Sequence, residues 1–129
     1  MRRERIAQAL LVLAGLINIA PSLGALSLDL SRAAYGVGIA GPDMEALFRH
    51  RAVLLGLLGA TLVVSAFRPR LRAVAVTVNA VSFGVFVLCG LIGGPLNAEL
   101  TRVVWIDVVG LAVLAALAGA QPQRVVHDP

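Results

Sequence analysis

Asp107 is a carboxylate inside an otherwise apolar run. A carboxylate in such a place is costly, and it usually faces the interior of a helix bundle, where it is paired or in use. The side chains able to join it sit in other apolar runs. Arg49, His50 and Arg51 lie about one turn into the second run, Asn18 near the end of the first, and Arg102 at the start of the last, close to Glu99. Asn79 stands alone near the centre of the third. Two kinds of chemistry follow. Asp107 and His50 can hold or relay a proton, and the arginines can hold an anion or a lipid headgroup. The competing reading is an ion-paired cluster that fixes helix register. In it Asp107 bridges to Arg49, Arg51 or Arg102, and the arginine heads snorkel to the interface. For Asn79 the alternatives are an interhelical hydrogen bond and a ligand contact.

Other chemistries lack their residues. Two histidines and one cysteine, Cys89, do not make a metal site of the usual spacing, and no cofactor is expected. A single cysteine cannot form an intrachain disulfide or a Cys-x-x-Cys redox pair. Gly36-x-Gly38 has no following strand–helix context, so it is not a nucleotide fingerprint. No Ser/His/Asp order with a nucleophile elbow is present. Transporters of the small multidrug type keep a buried glutamate in the first span, where this chain has only Gln8 and Asn18.

The elements that must position these residues are four apolar stretches, at about 6–23, 47–67, 73–92 and 103–120. Each approaches the ~20 residues needed to cross ~30 Å of hydrocarbon as a helix. Backbone polar groups must pair internally in lipid, so the runs are expected to be helical. Pro21 and Gly24 close the first. Gly41, Pro42 and Asp43 open the second, with Asp43 and Glu45 where a helix dipole favours negative charge. Arg68-Pro69-Arg70 and Gly93-Gly94-Pro95 make the later turns. The longest connection, Ala25 to Ala40, is read either as a short amphipathic segment over about 26–36 at headgroup level or as a plain loop. The residues after Gln121 form a polar tail, in which His127 is expected to be solvated.

Composition agrees with lipid. Apolar residues make up 59% of the chain, and charged residues 14% against about 25% in soluble domains. So short a chain has too few polar side chains to cover a water-facing surface. The expected fold class is therefore all-α: one membrane domain over 1–120, a four-transmembrane-helix bundle, followed by the tail 121–129. All the basic residues are arginine, and the formal charge is +4. The arginines cluster at the ends of apolar runs and form no stripe, so lipid headgroups, not nucleic acid, are the expected counter-charge. Arg2, Arg3, Arg5, Arg68, Arg70, Arg72 and Arg124 fall on one side, and Arg32, Arg49, Arg51 and Arg102 on the other. The excess puts both termini in the cytoplasm. A rival reading makes the first run a cleaved secretory signal ending near Ser22-Leu23-Gly24-Ala25, which leaves three spans.

Small residues at four-residue spacing are expected to mark helix–helix faces. They are Ala52, Gly56 and Ala60 with Gly59, then Ala80 and Gly84, then Ala112 and Ala116, and Ala115 and Gly119. The same faces are able to join copies of the chain or a membrane protein partner.

Three segments carry a family likeness: Ala34-Tyr35-Gly36-Val37; Arg49-His50-Arg51-Ala52-Val53 leading to Leu57-Leu58-Gly59; and Arg102-Val103-Val104-Trp105-Ile106-Asp107. Through them the chain resembles the DoxX-like small four-helix bacterial membrane proteins. That resemblance implies a fold and an inner-membrane location more than an activity. Chains of this appearance are sometimes labelled phosphopantetheine adenylyltransferase, a soluble α/β enzyme with a Gly-His signature in a phosphate-binding loop. Here His50 follows Arg49 and opens an apolar run, so the residues do not support that activity. The sequence thus points to a non-enzymatic multi-pass protein. It would bind a lipid-like or anionic small molecule or serve as an accessory subunit. The alternatives are a membrane enzyme or proton-coupled carrier using Asp107 and His50, and a structural oligomer partner.

Overall fold

A computed structural model describes residues 1–120; the tail, with Arg124 and His127, lies outside the described residues. The described residues are helical apart from short connections, without a strand. Helix α1 (Arg2–Ile19) continues into a 3-10 turn (Ala20–Ala25) that contains Pro21. A short helix α2 (Leu28–Tyr35) precedes α3 (Pro42–Phe67), and a 3-10 turn (Pro69–Leu71) leads into α4 (Arg72–Ile92) and then α5 (Ala98–Gly119). Four of these helical segments are long and apolar enough to cross a membrane. Connectivity places the start of α1, the α3–α4 turn and the end of α5 at one end of the bundle. Helix α2 and the connections leading into α3 and α5 occupy the other, called here the α2 end.

The helices extend beyond the apolar runs that announce them, because their first turns are polar. Pro42 opens α3 with Asp43 and Glu45 in the first turn. Asn97 caps α5, its side-chain oxygen accepting from the Leu100 amide at 2.7 Å. The connection left open between an amphipathic segment and a loop is a helix. Its inner face buries Leu28, Ser31 and Tyr35, and it ends where Gly36 turns left-handed at φ 60°. Asn97 also donates to the carbonyls of Tyr35 and Gly36, both at 3.0 Å. One side chain therefore starts α5 and holds the end of α2 against it.

Packing is tightest where α1 crosses α3. A methyl group on Gly59 would lie 2.5 Å from the Gly15 carbonyl oxygen, and one on Gly15 would lie 2.7 Å from that of Gly59. No Cβ fits there, so two glycines let the backbones touch, as small residues do between helices in lipid. Gly56 rests on Ser22, and Gly110 of α5 lies under the Phe83 ring. The other small-residue stripes do not act this way. Ala112 and Ala116 are exposed, and a methyl group on Gly84 or Gly119 would meet no atom within 4 Å.

A dry core fills the half of the bundle near the α3–α4 turn, with Leu11, Ala14, Leu62, Ala66, Ala75, Val76, Phe83 and Leu114 in one cluster. Arg72 fastens that end. It donates to the carbonyls of Ser65 (3.1 Å) and Ala66 (2.8 Å), which α3 leaves unpaired at its C-terminus, and it forms an ion pair with Glu4 of α1.

Candidate functional site

A polar layer separates the dry half from the rest. Asn18 donates to the side-chain oxygen of Asn79 at 2.8 Å. Asn79 in turn donates toward the Leu58 carbonyl (3.1 Å), the Thr61 hydroxyl (3.1 Å) and the Ala75 carbonyl of its own helix (2.9 Å). Both asparagines are buried. Of the two roles open to Asn79, the geometry gives the interhelical bond. Its amide ties α1 and α3 to α4.

Beyond this layer, toward the α2 end, the helices part around a cavity that opens to the bundle surface, with Leu23, Leu54, Val85 and Ile106 of its wall exposed. The cavity, of about 920 Å³, lies between α1, α3, α4 and α5, with α2 and the Ala20–Ala25 turn also on its wall. That is near the upper end of the roughly 300–1,000 Å³ typical of ligand sites. Its walls are mostly apolar, from Leu54 and Leu58 on α3, Phe83 and Phe86 on α4, and Val103 and Ile106 on α5. Into it come Asn18, Arg51, Arg102 and Asp107, together with Glu99. Four of the six residues singled out from the sequence cluster are therefore on one wall system. Arg51 and Asp107 lie equally far into α3 and α5, roughly 13 Å at 1.5 Å per residue.

Arg49 and His50 do not join them. Successive helical residues point about 100° apart at 3.6 residues per turn, so only Arg51 of the triplet faces the cavity. His50 is exposed. Arg49 is also exposed and donates to the Ala25 carbonyl, closing the end of the 3-10 turn.

The expected salt bridge to Asp107 is not made. Among the described residues the ion pairs are Arg32–Asp29 and Arg72–Glu4, both away from the cavity. Arg51 is drawn elsewhere: its guanidinium carbon lies 4.8 Å from the centre of the Tyr35 ring and 5.0 Å from that of Phe86. Each such contact is worth about 0.5–2 kcal/mol, rising with desolvation. These contacts engage the charge and not the N–H donors of the guanidinium, which make no hydrogen bond or ion pair among the described residues. Arg102 and Glu99 likewise have no side-chain partner among the described residues, although Glu99 lies against the end of α2, where a methyl group on Gly36 would come within 2.6 Å of its Oε2. Part-buried Arg51, Glu99 and Asp107 and the exposed Arg102 thus line one largely apolar cavity without neutralising one another by direct contact.

Other functional side chains were less visible in the sequence. Tyr35 and Phe86 hold Arg51, yet nothing in their local pattern announces it. Cys89, the sole cysteine, lines the cavity as a free thiol. Among the described residues no three His, Cys, Asp or Glu side chains converge as a metal site. Comparison with protein-family models, with curated proteins and with solved structures finds no match to this chain.

Proposed function

We propose that this chain is a multi-pass protein of a bacterial inner membrane, DoxX-like in kind, with both termini in the cytoplasm, and that it binds an amphiphilic small molecule in the cavity between its helices. The excess of arginine at the α3–α4 turn and before α1 supports the orientation. It puts the cavity in the outer half of the bilayer. The observation that carries the binding reading is a mostly apolar cavity whose charged groups have no ion-pair partner among the described residues. Bare charges in low dielectric are expensive, and an amphiphile matches both the apolar walls and the polar groups. With His50 on the surface and Asp107 without a titratable base beside it, binding is favoured over proton relay.

The test is native mass spectrometry of protein extracted in a mild detergent. The wild type is expected to carry a defined non-protein mass. Ser82→Phe, which fills the cavity from α4, is expected to lose that mass while keeping its helicity, and Leu55→Trp serves as a second filling variant. A wild type that flies bare, or an adduct that both variants keep, would overturn the reading.

A further inference from the structure

We propose that the recognised head is zwitterionic, a phosphate diester joined to a primary ammonium, as on an ethanolamine phospholipid. The inference rests on the binding reading above. The charges lining the cavity cancel: Arg51 and Arg102 against Glu99 and Asp107. A purely anionic head would satisfy the arginines and leave two carboxylates facing it. A cationic head would do the reverse, and a neutral one would leave all four without a partner, three of them part-buried. A head carrying both signs satisfies all four.

The geometry favours this arrangement in two further ways. First, the rings of Tyr35 and Phe86 keep Arg51 from collapsing onto Asp107, so a positive and a negative group stay separately available at one depth. The free guanidinium edges suit a phosphate, which arginine grips with parallel N–H bonds. Second, those rings are already occupied by Arg51. A quaternary ammonium has no N–H to give Glu99 and Asp107 and relies on aromatic faces, of which the two nearest Arg51 are already taken by that guanidinium. A primary ammonium brings three N–H donors, and carboxylate oxygens accept them. Ethanolamine is therefore distinguished from choline as well as from glycerol.

The experiment uses the full chain in detergent, exchanged against equimolar dioleoyl phosphatidylethanolamine, phosphatidylcholine and phosphatidylglycerol, with retained lipid counted by native mass spectrometry. Ethanolamine lipid is expected to be retained over both others by roughly tenfold, the worth of one charge-assisted hydrogen bond. Asp107→Asn is expected to erase most of the preference over phosphatidylglycerol, and Arg51→Gln to weaken retention of both lipids. Glu99→Gln gives a second carboxylate variant should Asp107→Asn fail to fold. Equal or better retention of phosphatidylglycerol or phosphatidylcholine would overturn the zwitterion while leaving the cavity reading standing. Retention of no lipid would count against the cavity reading itself. Displacement of the lipid by soluble glycerophosphoethanolamine, which carries the same diester head, would assign the head to a soluble zwitterion and refute the lipid source.

Discussion

Replacing Asn79 by leucine removes the acceptor for Asn18 and the donor to the Leu58 carbonyl and the Thr61 hydroxyl. The bond to Ala75 lies within α4 and is not a tie between helices. Interhelical hydrogen bonds in lipid average about 0.6 kcal/mol and reach about 1.7. Losing the ties to α1 and α3 together therefore costs about 1–3 kcal/mol. Part of that cost is the Asn18 amide, which stays buried without its acceptor. Asn18→Leu alone strands the Asn79 oxygen in the same way. When both become leucine no amide is stranded, so the double variant is expected to be more stable than the sum of the singles by about 1 kcal/mol. The assay is equilibrium unfolding by SDS in mixed micelles, followed by helicity and by Trp105, the one tryptophan. Additivity within about 0.5 kcal/mol would refute the argument, because it would mean that the two amides do not hold each other.

Three further outcomes follow from the packing and the proposed orientation. Gly59→Val puts side-chain atoms against the Gly15 carbonyl and the Ile19 backbone; it is expected to destabilise by about 2–3 kcal/mol or block assembly, which thermal unfolding in detergent will show. Arg72→Gln loses two carbonyl contacts as well as the ion pair, whereas Glu4→Gln loses only a half-exposed pair. The first is expected to cost about 1–3 kcal/mol and the second much less, because its charge is solvent-screened, compared in the same titration. In a Cys89→Ala background, a cysteine at Ser27 is expected to react with an impermeant maleimide from outside intact cells, and one at Arg70 only after lysis. The reverse pattern would invert the orientation.

The four long helices were legible because lipid imposes a single demand, a long run without unsatisfied backbone, and that demand is written in consecutive residues. Their polar first turns lie outside those runs: Pro42, Asp43 and Glu45 marked the start of α3, whereas α5 begins at Ala98, ahead of the run at 103. The cavity residues were legible as a depth-matched set. Their directions were not, because Arg49, His50 and Arg51 are neighbours in sequence and diverge around the helix. The missing bridge to Asp107 has the same origin. It depends on Tyr35 and Phe86, two rings on separate helices whose meeting at Arg51 leaves no mark in either local pattern. Gly15 passed unnoticed for a related reason: its partner Gly59 lies on another helix, and the spacing that matters is across the crossing, not along the chain.

The central claim, an amphiphile held among uncommitted charges, is tested most directly by an experimental structure of the full chain in a nanodisc made from bacterial lipid. The account expects elongated non-protein density between the helices, its head contacting Arg51 and Asp107 and its tail running along Leu54 and Leu58, with Arg51 still between Tyr35 and Phe86. A closed bundle would contradict it, with Arg51 bridged directly to Asp107 and the walls of α3, α4 and α5 in contact where the cavity now lies.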